Sequence, residues 1–433
     1  MIDIKKRIYA AFSTAPLKDD QLKELYVNLD SVRGNADVVR RITQRIVMEE
    51  DGKPTCQVLA GHDGSGKSTE LARLKTMLEE QKYFVVLCAI DKDVDRNDVD
   101  FPDVLIAMVR QMAEQLKEHA GVTVKPGYFK DRLNELMTFL KSDIGVDKFD
   151  LGASLMKVTG TLKSSPDVRQ QIRKMLEPET NNLIYAANAV IDEAQHELAK
   201  KGYTGLAILV DDLDKMIMRQ HDSGACSTQE YLFVHRSSQL TAFNCHVVYT
   251  MPLELAYSNL CAVIEKIYGK TPVIPMVKIT TRPPENKPYP HGIELFEKVI
   301  DSRLHEAGAE RKTLFVNDEV MHKLIMLSGG QLTELMSLVQ ESLVSYGMPI
   351  DEASLHRAKT EGQRTYARHL RTEHWPIIDS VMLTGEPKLT SENDKIFRDL
   401  LESRAILLYI NDEEWYGVNP FLEGLHAPAL NTE

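Results

Sequence analysis

The fold is decided by residues 61–68, which read Gly-His-Asp-Gly-Ser-Gly-Lys-Ser. They match the pattern G-x-x-x-x-G-K-[ST], a loop whose backbone N–H groups point at phosphate oxygens. The apolar stretch Cys56–Ala60 predicts a buried strand before this phosphate loop, and a helix is expected after it, to about Gln81. In that context Lys67 is expected to reach the β- and γ-phosphates of a nucleotide and Ser68 to bind Mg²⁺. The expected nucleotide-binding residues are Gly61, His62, Asp63, Gly64, Ser65, Gly66, Lys67, Ser68 and Thr69.

A second stretch, Leu206–Asp214, supplies the acidic residues that such a loop needs. It reads as a buried strand that runs into three carboxylates. Asp211 is expected to hold Mg²⁺ together with the nucleotide, and either Asp212 or Asp214 to orient the attacking water. The spacing does not choose between these two. The pair of motifs predicts Mg²⁺-dependent binding and hydrolysis of ATP.

Composition excludes several classes of protein. The 433 residues are 27% charged and 43% hydrophobic, enough for a sizeable core. Lys and Arg number 52 against 64 Asp and Glu, so the net charge is −12 and binding to nucleic acid would need a local basic patch. The 5 cysteines form no CxxC pair, which favours a reducing compartment over a disulfide scaffold or zinc site. No apolar run is long enough to span a bilayer, so we expect a cytoplasmic protein without membrane contacts.

The order of predicted elements favours an α/β fold, with a parallel five-stranded sheet, helices on both faces and a large insert. The other four predicted strands are Tyr83–Ile90, Leu206–Val210, Cys245–Thr250 and Val273–Ile279. We divide the chain into a lead-in (1–35), an ATPase domain (36–285, with the insert at about 91–205), a helical lid (286–371) and a C-terminal domain (372–433). The last region reads as two helices followed by a hairpin, which is compatible with a winged-helix domain.

Within the insert we expect mainly helices. One is predicted near Asp103–His119 and another through Lys141, and a long helix follows with Thr180 as its N-cap. Residues 146–162 alternate loosely between apolar and polar types around two glycines, which predicts a hairpin.

The two motifs together resemble the AAA+ and STAND class of P-loop ATPases. Within it, the chain is most similar to the archaeal-initiator and origin-recognition-like branch and to bacterial relatives in antiphage and other conflict systems. The resemblance implies that Arg33, in Val32-Arg33-Gly34, packs on the adenine and that Thr250 senses the γ-phosphate. It also implies an arginine finger that reaches a neighbouring subunit, for which Arg236 is the first candidate and Arg282 and Arg303 are alternatives.

One departure from the family pattern lies in the lid. After Ser328-Gly329-Gly330 the chain continues Gln-Leu-Thr-Glu, where many relatives carry an arginine that contacts nucleotide phosphates. That arginine is missing or supplied elsewhere. We therefore expect slow hydrolysis and a nucleotide switch.

Two functions remain open from the sequence. The first is an ATP-gated homo-oligomeric switch that controls a separate effector protein in a bacterial conflict system. The second is a DNA-binding initiator or loader ATPase that uses its C-terminal domain. The second is favoured by an arginine stripe, expected on one face of a helix and formed by Arg357, Arg364, Arg368 and Arg371. A small-molecule kinase is less favoured, because the carboxylate cluster suits activation of water.

Overall fold

The computed structural model describes residues 2–34, 37–49, 53–124, 151–221, 224, 226–411 and 413–425. Its centre is a parallel five-stranded sheet in the order β2-β3-β4-β1-β5. The strands are β1 (Cys56–Gly61), β2 (Tyr83–Ala89), β3 (Gly205–Asp211), β4 (His246–Pro252) and β5 (Val273–Ile274). The predicted α/β class and its parallel sheet are confirmed.

The register of the sheet brings the two sequence motifs to one edge. Leu59 of β1 lies opposite Thr250 of β4, and Val210 of β3 lies opposite Tyr249 of the same strand. All three strands are almost fully buried, as their unbroken apolar runs predict for a parallel sheet covered on both faces. The carboxyl ends of β1, β3 and β4 therefore meet where the phosphate loop begins, the edge at which open α/β sheets bind ligands.

Helices make up most of the remaining described chain. Those up to the end of the sheet are Ile2–Ala11, Asp19–Leu25, Val38–Val47, Lys67–Glu80, Phe101–Ala120, Leu151–Ser164, Pro166–Leu176, Thr180–Lys200, Thr228–Glu230, Ser237–Leu240, Leu253–Ala256 and Cys261–Tyr268. Those after the sheet are Pro290–Ala307, Arg311–Leu314, Asp318–Leu327, Leu332–Ser345, Glu352–His369, Trp375–Thr384 and Asp394–Glu402. Short 3₁₀ or π turns occur at Asp30–Val32, Ile90–Lys92, Glu177–Glu179, Leu213–Lys215, Tyr231–His235, Thr372–His374 and Pro420–Leu422.

The insert differs from its prediction in two places. The hairpin predicted at 146–162 is wrong, because Leu151–Ser164 is a helix. Leu155 and Val158, three residues apart, are both fully buried, so the apolar spacing is helical and the two glycines are tolerated. Thr180 is the first residue of its helix and no N-cap, since its Oγ1 donates to the carbonyl of Glu177 at 2.8 Å. The helix predicted through Lys141 lies outside the described residues.

The lead-in packs against the lid. Ile8, Phe12 and Val32 are fully buried in one apolar cluster with the lid residues Phe296 and Leu335. A second, larger cluster joins the sheet to the insert and to the C-terminal region. Each apolar core thus contains residues from more than one region of the chain.

A three-residue segment after β5 ties these parts together. The strand predicted to continue to Ile279 ends early, because only two residues of β5 pair with β1. The next amides, at residues 276–278, donate in order to the carbonyls of Leu408 at 2.9 Å, Gly330 at 3.1 Å and Val32 at 3.1 Å. We call residues 276–278 the junction segment.

The C-terminal region contains the expected two helices and a hairpin. The hairpin strands, β6 (Ile406–Asn411) and β7 (Glu413–Val418), pair antiparallel. The expected four-residue arginine stripe is wrong in one member. The helix ends at His369, and Nη1 of Arg371 folds back to the carbonyls of Arg368, His369 and Leu370, so Arg371 caps the helix. Across the described ranges, no helix has the length and apolar character needed to cross a membrane.

Candidate functional site

The phosphate loop wraps around the side chain of its own lysine. Gly64 and Gly66 have φ angles of +82° and +101°, in the left-handed region that glycine adopts without strain. Lys67, the first residue of the following helix, donates from Nζ to the carbonyls of Gly61 at 2.7 Å and His62 at 2.6 Å. The backbone turn therefore places the ammonium group at the centre of the loop.

An acidic residue from the second motif meets this lysine. Oδ2 of Asp214 lies 2.8 Å from Nζ of Lys67, and the two side chains are only 2% and 4% exposed. A buried ion pair of this kind is maintained because either charge alone would be costly in the interior. The phosphates of a nucleotide offer Lys67 an alternative anionic partner, so nucleotide binding and this ion pair compete for one ammonium group.

The residues expected to hold Mg²⁺ are neighbours. The Ser68 side chain is close enough to the Asp211 carboxylate to lower its pKa. Burial, with Asp214 and Asp212 nearby, raises the pKa of Asp211 above its usual range. No group of three or more His, Cys, Asp or Glu in the part of the chain that the structure describes could hold a metal ion. A hydroxyl beside a carboxylate fits Mg²⁺, which binds proteins through one or two such oxygens and takes others from substrate phosphates and water.

Asp212 has an unusual backbone conformation. Its φ is +70°, and its amide donates to Oδ1 of Asp211 at 2.8 Å. Its own carboxylate pairs with Lys215 at 2.5 Å. Positive φ is uncommon outside glycine, and it turns the chain sharply at the end of β3. The strained residue thus orients the carboxylate of its neighbour.

Thr250 fixes the same acidic turn from the adjacent strand. Its buried Oγ1 accepts hydrogen bonds from the amides of Leu213 at 3.1 Å and Asp214 at 3.4 Å. In this arrangement Thr250 positions Asp214. The expectation that it senses the γ-phosphate stays a prediction.

Arg33 lies beside the phosphate loop. It is 6% exposed, and Nη2 donates to the carbonyl of Ser65 at 2.6 Å. Glu70, on the helix that follows the loop, lies 3.8 Å from Nη1. These contacts brace the loop backbone, and the packing of Arg33 on adenine stays a prediction. Thr69 lies at the next turn, where its Oγ1 accepts from the amide of Leu17 at 3.3 Å.

The lid and the C-terminal hairpin also touch the loop. Nε2 of His62 accepts a hydrogen bond from the amide of Leu408 at 2.9 Å, and the amide of Thr333 donates to the carbonyl of Gly64 at 3.3 Å. Asp63, more than half exposed, lies 3.9 Å from Nη1 of Arg404. With Arg33 included, the loop therefore contacts the lead-in, the lid and the C-terminal region.

A cavity of about 200 Å³ opens at the loop. It is lined by the lead-in residues 13–17, 25–27 and 29, by loop residues that include Lys67 and Ser68, and by Asp214, Val299, Arg303, Leu332, Thr333 and Met336. This volume is below the ~300–1,000 Å³ typical of ligand pockets. The lead-in and the lid each supply part of the cavity wall.

Sequence reasoning missed Glu254. This residue follows β4, is 6% exposed and accepts from Nε2 of Gln229 at 2.7 Å. Burial raises the pKa of Glu254 to about 7, and Lys67 is close enough to oppose that shift. Its position after a buried strand is the signal that identified Asp211, so the same rule applied to β4 would have found it.

The first two arginine-finger candidates are bound within the chain. Nη2 of Arg236 donates to both carboxylate oxygens of Glu177, at 2.6 and 2.7 Å. Arg282 pairs with Glu413 at 2.9 Å and with Glu386. Neither residue lines the cavity at the phosphate loop. The third candidate, Arg303, does.

Comparison with known proteins gives likeness in fold only. The chain matches no protein-family model and no curated protein. Among solved structures it is similar to a Walker-type ATPase of Pyrococcus abyssi, with a TM-score of 0.43, 11% identity and coverage of 95% of this chain and 98% of the other.

Two proteins of Aeropyrum pernix are also similar. The ORC1 protein, solved in complex with DNA, has a TM-score of 0.37 at 11% identity and covers 94% of this chain and 96% of its own. The ORC2 protein, solved with ADPNP and ADP, has a TM-score of 0.40 at 10% identity over 92% and 93%. At this level of similarity, function has to be argued from the residues of the site.

Proposed function

We propose that this chain binds ATP with Mg²⁺ and hydrolyses it to ADP and phosphate. The observation that carries the proposal is the position of the Lys67 ammonium, inside the loop and 2.8 Å from Asp214, with Ser68 and Asp211 close together at the same sheet edge. A cation, a hydroxyl and a carboxylate in this order are the set that binds a Mg²⁺-nucleotide. In the reaction, water adds to the γ-phosphorus and the bond to the β–γ bridging oxygen breaks.

Each residue has a separate role in this proposal. Lys67 exchanges Asp214 for the β- and γ-phosphates, and Ser68 and Asp211 hold the metal ion. Mg²⁺, when bound, neutralises charge on the phosphate oxygens. Asp212 and Asp214 are both candidates to orient the water. Asp212 is paired with Lys215 and Asp214 with Lys67, so either carboxylate has to leave an ion pair before it can act.

The test measures ATP binding and phosphate release in the same preparation. Lys67→Ala should abolish both. Lys75→Ala is the matched control, because Lys75 lies on the same helix and pairs at the surface with Glu79 at 3.0 Å. The proposal fails if the unchanged protein binds no ATP, or if Lys67→Ala binds it as tightly as the control does.

We further propose that hydrolysis is slow, below about 1 s⁻¹, the low end of enzyme turnover, and that its output is a change in assembly or in contact with a partner protein. The partner, an effector in a bacterial conflict system, is proposed from the sequence resemblance. Solution mass with ATP, ADP and no nucleotide tests the output. Growth of the particle with ATP alone, lost in Lys67→Ala, supports the switch. An unchanged mass in every state argues against ATP-driven assembly.

DNA binding is the second candidate function. Arg364 and Arg368 are exposed on the helix Glu352–His369 and form no ion pair within the described residues. A duplex gel shift at two salt concentrations tests this surface, because phosphate contacts weaken as salt rises. Changing both arginines to Glu should abolish a specific shift. The same change at Arg40 and Arg41, exposed on another helix, is the charge-matched control.

A further inference from the structure

Arg303 is a buried arginine on the lid helix Pro290–Ala307. Its residue exposure is 7%, and it lines the cavity that also contains Lys67 and Ser68. It lies one helical turn beyond Val299, another residue of the same wall. Arg303 therefore borders the space in which the nucleotide is proposed to bind.

The guanidinium of Arg303 has few partners. Nη1 donates to the carbonyl of Val299 in its own helix at 3.3 Å, and Nε is buried with no hydrogen-bond partner. No carboxylate of the described chain lies within ion-pair distance of it. Burial lowers the pKa of Arg303 to about 10, and Glu306 opposes the shift without forming an ion pair. A desolvated cation with unused donors is costly unless an anion binds beside it.

The other lid residues that line the cavity carry no positive charge. Leu332 begins the helix that follows the Ser-Gly-Gly of the lid, and its Cδ1 is 3.2 Å from where a Cβ on Gly66 would lie. Thr333 similarly approaches Gly64. The lid element nearest the phosphate loop thus presents an apolar and a neutral side chain. Among the lid residues that line the cavity, Arg303 is the basic one.

We propose that Arg303 binds a phosphate group of the nucleotide, in the same chain that supplies the phosphate loop. This inference rests on the proposed function and extends it. A guanidinium offers several N–H donors in a planar fork that matches phosphate oxygens. It supplies from the first lid helix the positive charge that the sequence lacks after the Ser-Gly-Gly. Arg303 is thereby a phosphate-binding residue in its own chain and is unavailable as a finger for a neighbouring subunit.

The test compares the affinities of ATP, ADP and adenosine by equilibrium binding, together with thermal unfolding without nucleotide. Arg303→Met keeps much of the side-chain length and removes the charge. It should weaken ATP binding roughly 10- to 100-fold, as expected for loss of charge-assisted hydrogen bonds, and leave adenosine binding unchanged. Arg303→Lys should recover part of the ATP affinity. Arg311→Gln is the control, because Arg311 pairs with Asp301 outside the cavity.

The unfolding temperature without nucleotide distinguishes a phosphate-binding role of Arg303 from a structural one. Without nucleotide, Arg303→Met should unfold at the same temperature as the unchanged protein or higher, because an uncompensated charge has been removed. The inference is overturned if ATP affinity is unchanged in Arg303→Met, if adenosine affinity falls equally, or if the nucleotide-free protein is destabilised. Failure of the proposed function looks different, since the unchanged protein would then bind no ATP.

Discussion

Nε2 of His62 accepts a hydrogen bond from the amide of Leu408 at 2.9 Å, across 346 residues of chain. His62 belongs to the phosphate loop and Leu408 to β6 of the C-terminal hairpin. Both residues are buried, at 2% and 0% exposure. The hairpin is therefore fastened directly to the loop that is proposed to hold phosphate.

This contact predicts a dependence on pH. Burial, together with the charges of Lys67 and Arg404, lowers the pKa of His62 to about 3. The neutral ring is the form that accepts from Leu408. The stability that this contact contributes is therefore fully present above the ordinary histidine pKa of about 6.5 and is lost as pH falls toward 3, because the unfolded chain takes up the proton first. Each pH unit in that window should cost the closed arrangement about 1.4 kcal/mol.

Other groups also titrate in this pH range, so the contribution of His62 is measured as the difference between the unchanged protein and a variant. Unfolding free energies of the unchanged protein and of His62→Gln are compared between pH 7 and 4. We expect the difference between them to shrink as pH falls, because the glutamine has no such proton equilibrium. A difference that stays constant with pH would contradict the assignment.

Asp214→Asn should make the protein depend on ATP for its stability. The variant leaves the buried Lys67 ammonium without its carboxylate, which should cost about 3–5 kcal/mol of unfolding free energy. ATP phosphates can then neutralise Lys67, so the rise in unfolding temperature on adding ATP should exceed that of the unchanged protein. Glu79→Gln, which removes a surface ion pair on the same helix, should change stability by less than about 1 kcal/mol. Equal ATP-induced shifts in Asp214→Asn and the unchanged protein would refute the competition.

Arg236 and Glu177 should behave as a structural pair. We expect Arg236→Gln and Glu177→Gln to lower the unfolding temperature by similar amounts, and the double variant by little more, because either change breaks the same contact. Phosphate release per folded molecule should be equal in all three. A loss of activity in Arg236→Gln alone, restored by mixing with protein inactivated at Lys67, would instead identify a finger acting between subunits.

Substitutions at two glycines of the lid distinguish the cost of backbone strain from the cost of a steric clash. Gly330 and Gly347 have φ angles of +75° and +89°, so alanine is strained at both. A Cβ on Gly330 would overlap the carbonyl oxygen of Val277, whereas one on Gly347 meets nothing within 4 Å. Gly347→Ala should cost about 1–2 kcal/mol. Gly330→Ala should lower the free energy of unfolding, measured with denaturant, by clearly more. Similar losses in the two variants would show that the backbone at Val277 moves aside to accommodate the Cβ.

The parts of the fold that the sequence predicts best are those that local pattern determines. The runs Cys56–Ala60 and Leu206–Val210 are continuous and apolar, and each passes directly into a motif, so strand, turn and site follow from neighbouring residues. The hairpin prediction fails at Leu151–Ser164, which is a helix. Its two glycines are typical of turns, and its apolar residues show helical spacing over only a short stretch. Nothing local to His62 indicates Leu408, and nothing local to Arg303 indicates that no carboxylate of the described residues pairs with it. Such relationships arise only when distant segments pack.

The junction segment has a consequence for how the chain can move. Its three successive amides bond to the hairpin, the lid and the lead-in, each through one backbone hydrogen bond. If one of these parts shifts as a rigid body, the other two must follow or a buried amide loses its acceptor. The movements of three regions, which contribute Val32, Gly330 and Leu408, are thereby coupled. An opening that admits nucleotide at the lead-in would be transmitted, through residues 276–278, to the far end of the chain.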